Sequence, residues 1–266
     1  MAEKFGLVII QSLGGMDKPT GQMLRQGLMK FKQFQEPNLS CDYHDVQQKD
    51  QLIQVLQELS AEITEAKFYP VLHLEAHGSE DGLQLGSGEY VSWSEIVPLF
   101  REMNEKLENY LLLCFGTCFG GSIITLTDPN LRAPFRGVVA PLDVVTEREV
   151  LIGFEAFYDH LYFSFEVLEA VDRMNNAIAA PSPTFYHMSA QYLFEQFCNP
   201  DRDPKGLRYN AERMAAIQKR TNPSLRDVSL SDLTDQIEKD IRQMLVEASA
   251  NRDFFLMNDL NPGKSG

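Results

Sequence analysis

Two short segments of this chain carry side chains that could perform nucleophilic chemistry. The first, His-Leu-Glu-Ala-His-Gly from His73 to Gly78, holds two histidines four residues apart. The second runs from Cys114 to Gly120 and holds two cysteines at the same spacing, and each histidine precedes its matching cysteine by 41 residues. An imidazole beside a thiol can take its proton and leave a nucleophile able to attack an acyl carbon.

Both segments follow apolar runs that predict strands, at Tyr69–Glu75 and Tyr110–Phe115. Further strands are predicted at Phe5–Ser12, Ser40–Val46 and Arg136–Val145, a hairpin at Asp81–Trp93, and helices at Thr20–Gln33, Asp50–Ala66, Ser94–Leu107 and Glu147–Phe163. Strands alternating with helices of this length predict parallel βαβ units. The expected fold class is therefore α/β, a three-layer sandwich with a mostly parallel central sheet.

The pattern changes after Pro181, where we expect helices only. These helices are predicted at Thr184–Phe197, Tyr209–Arg220 and Ser231–Ala250. The resulting division is a core over residues 1–180, a helical appendage over 181–257 and a frayed tail over 258–266.

In an open parallel sheet the functional crevice lies beyond the carboxyl ends of the strands. If the two segments lie on neighbouring strands, about 4.8 Å apart, His77 falls beside Cys118 and His73 beside Cys114. Gly78 and Cys118 could then point backbone N–H groups at an oxyanion. A short helix predicted around Ser122–Leu126 would turn its N-terminus toward the thiolate. Glu75 could orient an imidazole, although a regular strand is expected to turn it away from His73.

A zinc site made of both histidines and both cysteines is the competing interpretation. Strand residues four apart are separated by about 13 Å, whereas ligands of one zinc ion lie within about 2.3 Å of it. The four side chains could share a metal only if both strands broke early. We therefore predict no metal site. No Walker or dinucleotide-binding motif is present either, so no cofactor is expected.

Composition limits the classes of partner. The 266 residues carry 24 basic and 38 acidic side chains, a formal net charge of −14, which disfavours nucleic acid and anionic membranes as partners. The apolar run Phe5–Ile10 is too short for a membrane span and is interpreted as a strand rather than a leader. Four cysteines without the density of a disulfide framework predict free thiols and a cytoplasmic location.

The two segments resemble the motifs of the caspase-like cysteine peptidases, the group that includes caspases, metacaspases, paracaspases, gingipains, legumain and bacterial CHAT-type peptidases. The shared pattern is a hydrophobic run ending in His77-Gly78, then a hairpin and a helix, then a hydrophobic run ending in Cys118 with a glycine two residues later. The element order from Phe5 to about Asn176 is similar too. The resemblance implies a Cys118–His77 dyad, an oxyanion hole with Gly78, protein or peptide substrates and a thioester intermediate.

The chain departs from the caspase pattern in two places. Gly116-Thr117 stand where caspases have Gln-Ala, and Met16-Asp17-Lys18 stand where an arginine would hold an acidic P1 side chain. Bacterial members of the group that prefer lysine or arginine at P1 use acidic residues around that pocket, so the resemblance makes Asp17 and Asp143 the candidates for contacting a basic P1 residue. Relatives of this kind are commonly controlled by a partner or ligand, which the helices after Pro181 could bind. A pseudoenzyme, a flavodoxin-like binding module and a thiol acyltransferase remain as alternatives.

Overall fold

The computed structural model describes residues 4–66, 68–225 and 227–260. These residues group into two compact units. The first, called the sheet unit, runs to Thr127 and resumes at Ala133–Ala190. The second, called the helical unit, comprises Asp128–Arg132 and the chain from Gln191 onward.

A mostly parallel sheet forms the centre of the sheet unit. Its strands are β1 (Lys4–Ser12), β2 (Leu39–Asp45), β3 (Phe68–Ser79), β4 (Gly82–Gln84), β5 (Tyr90–Ser92), β6 (Leu112–Phe115), β7 (Gly137–Pro141) and β8 (Phe185–Ser189). The order across the sheet is β2-β1-β3-β6-β7-β8, with the β4–β5 hairpin attached to the end of β3. Only β8 runs antiparallel within that order. The predicted neighbours β3 and β6 are thus adjacent, and His73 pairs with Cys114.

Helices cover both faces of this sheet. They are α1 (Thr20–Leu24), a π-helical turn (Arg25–Met29), α2 (Lys30–Gln35), α3 (Lys49–Ala66), α4 (Trp93–Lys106), α5 (Glu147–Ser164) and α6 (Val167–Ile178), and a 3-10 helix spans Gly120–Leu126. Consecutive residues of β6 point to opposite faces. Cys114 joins the core beneath α5, whereas the Phe115 ring packs edge-on against Trp93 of α4 at 5.4 Å. The three-layer α/β prediction is confirmed.

The predicted helix over Thr184–Phe197 is wrong in its first half. Residues Phe185–Ser189 form β8, which pairs antiparallel with β7, and α7 (Ala190–Phe197) begins only afterwards. Phe185 and Met188 are both buried and three residues apart, a spacing that also fits a helix face. Pairing with the open edge of β7 decides for the strand. The expectation of helices only after Pro181 therefore fails at this point.

The helical unit is built around α8 (Pro204–Thr221) and α9 (Leu230–Ser249), followed by α10 (Arg252–Phe255) and a 3-10 turn at Asn258–Leu260. Small residues of α8 pack against the buried Leu233 and Ile237 of α9. Arg132, from the segment between β6 and β7, makes a two-point ion pair with Asp259 at 2.8 and 2.9 Å. Residues 258–260 of the expected frayed tail are thus a defined turn, and 261–266 lie outside the described residues.

Candidate active site

The five parallel strands end at the same edge of the sheet, and four of them carry or lead into the candidate residues. β3 carries His77 and Gly78 close to its end, β1 leads into residues 13–19, β6 into residues 116–119, and β7 into residues 142–146. The register continues past the end of β6, since the Gly116 N–H donates to the Leu74 carbonyl at 2.9 Å. The sequence-predicted residues His77, Gly78, Cys118, Asp17 and Asp143 all belong to these segments.

Gly78 lies directly against the backbone of Cys118. A Cβ atom added to Gly78 would come within 2.1 Å of the Cys118 carbonyl oxygen and 2.3 Å of Thr117 Oγ1. Cβ atoms are not found that close to other heavy atoms, so only glycine allows this approach. The His-Gly and Cys segments are therefore in van der Waals contact through a position that excludes a side chain.

Cys118 sits in a tight loop held by the segment after β7. The Val145 N–H donates to Cys118 Sγ at 3.4 Å, and the Phe119 N–H donates to the Asp143 carbonyl at 3.1 Å. Phe119 has a left-handed backbone (φ 54°), which turns the chain sharply into the 3-10 helix at Gly120. At the other end, Thr146 and Glu149 form a capping box that starts α5. The loop around the thiol is thus anchored on both sides.

His77 pairs with Asp17. Its Nε2 lies 3.0 Å from Asp17 Oδ2, and the same oxygen accepts a 2.7 Å hydrogen bond from the Gly14 N–H. These two contacts, with Gly14 the larger, hold the pKa of Asp17 below its ordinary value. The Asp17 carboxylate is ionised at neutral pH and can only accept, so His77 Nε2 is the donor in this contact. Because the pKa of Asp17 is lowered, the Asp17–His77 contact stabilises the folded protein at pH values above the ordinary aspartate pKa. This stabilisation is lost as the pH falls through the lowered pKa of the folded state.

Asp143 lies apart from that pair. Its side chain is exposed, and Oδ1 accepts a 2.7 Å hydrogen bond from the Val144 N–H. Among the described residues no hydrogen bond joins the Asp143 carboxylate to His77 or Asp17. The structure therefore brings Asp17 to the imidazole, while Asp143 borders the cysteine loop and faces solvent.

The chain is similar to a solved structure of the Drosophila initiator caspase Dronc. The match has a TM-score of 0.53 and covers 70% of this chain and 79% of that chain, at 15% sequence identity. The fold is caspase-like. No protein-family model and no curated protein matches the chain in sequence. At this identity the likeness establishes the fold, and the chemistry has to be argued from the site.

The structure also contains a buried polar network that the sequence did not predict, formed by Glu75, His73 and Tyr158. Glu75 Oε1 lies 2.9 Å from His73 Nε2, and His73 Nδ1 lies 2.9 Å from the hydroxyl of Tyr158 on α5. The expectation that Glu75 turns away from His73 is wrong, because residues two apart on a strand share a face. The i, i+2 spacing of His73 and Glu75 was the sequence signal for this pair.

Glu75 also supports the start of α1. Its Oε2 accepts hydrogen bonds from Thr20 Oγ1 at 2.5 Å and from the Gly21 N–H at 2.6 Å. The residue before this helix is Pro19, which supplies no side-chain cap. The carboxylate of a distant strand therefore satisfies the exposed donors of the helix N-terminus. It ties β3, which carries His77, to the helix that follows the Asp17 loop.

We expect Glu75→Ala to lower the free energy of unfolding by about 3–5 kcal/mol, because buried donors lose their acceptor. Urea unfolding of the full chain measures this effect. Glu169→Ala is the matched control, since Glu169 also pairs with a histidine, His160, at 3.1 Å but is 68% exposed. That variant should change stability by no more than about 1 kcal/mol. Equal effects of the two substitutions would contradict a structural role for the buried network.

The environments of the four thiols differ. Cys41, Cys114 and Cys198 are buried, and Cys118 is partly exposed. Burial raises the pKa of Cys41 and of Cys114 to about 12, and raises that of Cys198 above its ordinary value. At neutral pH these three remain protonated and poorly nucleophilic. Cys118 is the thiol that a substrate could reach.

Two properties of the described residues bear on metal binding and on membrane insertion. These residues contain no group of three or more histidine, cysteine or acidic side chains arranged to hold a metal ion. None of their helices is long and apolar enough to cross a membrane.

Proposed function

We propose that the protein is a cysteine endopeptidase that uses a Cys118–His77 dyad. The observation that carries this proposal is the contact between Gly78 and the Cys118 carbonyl, which brings the two predicted segments together at the carboxyl edge of a caspase-like sheet. The partial exposure of Cys118 and the pairing of His77 with an ionised Asp17 support it.

In the proposed mechanism the Cys118 thiolate attacks the scissile carbonyl carbon of a bound peptide. His77 Nδ1 has taken the thiol proton and passes it to the departing amine, so that a thioester and a free amine result. The N–H groups of Gly78 and Cys118 stabilise the oxyanion of the tetrahedral intermediate. Water then attacks the thioester, with His77 taking its proton, and releases the acid product and the thiol.

Asp17 takes a different role in this proposal from the one the sequence suggested. Because Asp17 Oδ2 is hydrogen-bonded to His77 Nε2, we propose that Asp17 orients the imidazole ring. The contact with a basic P1 side chain then rests mainly on Asp143, whose exposed carboxylate borders the cysteine loop. In this proposal Asp17 orients the catalytic base and Asp143 selects the substrate.

A peptide library scanned at P1 tests the activity and its specificity together. We expect wild-type cleavage after Lys or Arg, none above background with Cys118→Ala, and a preference for Lys or Arg over Leu reduced about tenfold in Asp143→Asn. Asp42→Asn, which removes an exposed carboxylate on edge strand β2, is the matched control. No cleavage by the wild type, together with no faster alkylation of Cys118 than of the other thiols, would favour a binding module. Acyl transfer to added amines would favour a transferase.

We propose further that a partner controls the site through the helical unit. Asp128–Arg132 groups with that unit, although in the chain it lies between the 3-10 helix after Cys118 and β7, which precedes Asp143. Its anchors include the Arg132–Asp259 ion pair and stacking of the Arg132 guanidinium on Phe254 at 4.4 Å. A change in the helical unit would therefore act on residues 128–132, which the chain connects to the 3-10 helix after Cys118 on one side and to β7 on the other.

A further inference from the structure

A groove of about 780 Å³ opens on the helical unit, between α8, α9 and the end of α7. Its apolar lining includes Leu207, Met214 and Ile217 of α8, and Ile241 and Leu245 of α9. Met214 is 45% exposed and Ile217 is 56% exposed. These side chains form a contiguous apolar floor that is open to solvent.

The helix pair leaves this floor uncovered for a physical reason. Ala211 and Ala215, both fully buried, form the face of α8 that packs on Leu233 and Ile237 of α9. Leu207, Met214 and Ile217 are spaced by seven and three residues, so they form a second apolar stripe along α8. A two-helix pair buries one stripe of each helix, and the second stripe can be covered only by a further element.

The charge at the groove is positive, in contrast to the chain as a whole. Arg202 and Arg213 line it together with a single acidic side chain, Asp203. The Asp203 carboxylate accepts the Gly206 N–H at 2.9 Å and so serves as the cap of α8. The rim of the groove therefore presents arginines in a protein of net charge −14.

The length of the stripe sets the size of the ligand. Leu207 to Ile217 spans ten residues, which corresponds to about 15 Å, or nearly three turns of helix. Adaptable methionine and aliphatic side chains on such a floor suit the apolar face of a helix laid into a groove.

We propose that this groove binds an amphipathic helix of about three turns from a partner protein, with acidic residues flanking its apolar face. The binding itself does not depend on catalysis. Only its regulatory consequence rests on the proposed peptidase function.

Selection from a phage-displayed library tests the proposal. The library holds 15-residue helix-forming peptides with apolar residues at i, i+3, i+4 and i+7 and either Glu or Lys at the flanking positions, and the target is the full chain carrying Cys118→Ala. We expect enrichment of Glu-flanked peptides. A fluorescein-labelled selected peptide should bind at least about tenfold more weakly when its Glu residues become Lys, and more weakly in 1 M salt.

Matched variants locate the binding site. Met214→Ser and Arg213→Gln should each weaken the binding of the selected peptide by about fivefold or more. Met244→Ser and Arg220→Gln, exposed side chains of the same helices outside the groove lining, should leave its affinity unchanged. Enrichment of Lys-flanked peptides, no enrichment, or equal binding to Met214→Ser would overturn the proposal. Self-association of the chain that Met214→Ser abolishes would instead identify a second copy as the occupant.

The selected peptide also separates docking from control. If it changes the cleavage rate of the wild type, both proposals are supported. If it binds at the groove and cleavage continues unchanged, the docking surface stands and the control of Cys118 through the helical unit is wrong.

Discussion

Replacing Cys118 with alanine is expected to reduce peptide cleavage by at least about 10⁴-fold, because the attacking sulfur is lost. His77→Ala should produce a loss of similar order, and the double variant should lose little more, since the two groups act as a unit. Turnover of a peptide ending in an aminocoumarin amide measures this. Circular dichroism and the unfolding midpoint should stay near wild type, because both side chains are at least partly exposed.

The other cysteines provide the control. Cys198→Ala removes a buried thiol in the helical unit and should retain cleavage. In the native wild type, iodoacetamide should modify one cysteine per chain, and a tryptic map should place it at Cys118. Retained turnover in Cys118→Ala, or alkylation of a buried cysteine first, would contradict the proposed nucleophile.

Substituting Gly78 with alanine is expected to lower kcat by about 10²–10³-fold or more. The added Cβ would meet the Cys118 carbonyl oxygen at 2.1 Å, so either the strand end or the cysteine loop has to move. Both movements displace the proposed oxyanion donors, and losing one such donor costs about 10²–10³-fold in other enzymes. Steady-state kinetics would show the loss mainly in kcat, because the oxyanion forms after binding.

Gly27→Ala is the matched control, since a Cβ there meets no atom within 4 Å. In a helical segment alanine is favoured over glycine by up to about 1 kcal/mol, so this variant should be as stable as wild type or more so. Activity of Gly78→Ala close to that of wild type would show that the two segments are not packed as described. A folding defect in Gly78→Ala can be recognised by its unfolding midpoint and separated from a loss of kcat.

The strands of the sheet unit other than β8 were predictable because their signal is local. Continuous apolar runs ended by glycine, alternating with amphipathic helices, indicate a buried parallel sheet without any knowledge of distant contacts. The matching spacing of histidines and cysteines predicted that His73 lies beside Cys114 if β3 and β6 are neighbours, and the register of these two strands confirms that pairing.

Strand β8, at the end of the sheet unit, could not be predicted from local patterns. Phe185 and Met188 fit either a helix or a strand, and the hydrogen bonds offered by β7 decide between them. A local pattern cannot contain that information, because the partner strand lies almost fifty residues earlier in the chain.

The α/β class, the three-layer arrangement and the pair of segments that could hold a nucleophile and its base could all be predicted from local patterns in the sequence. Tertiary structure alone decided which carboxylates serve which histidine: Asp17 contacts His77, while Glu75 binds His73 and caps the first helix. The physical reason is that periodicity records burial along one element, whereas an ion pair or a Cβ-excluding contact depends on the approach of two elements. Gly78 is an example. The sequence shows that a glycine follows His77, and the tertiary structure shows that a glycine is required there, because a Cβ atom would collide with the Cys118 carbonyl oxygen.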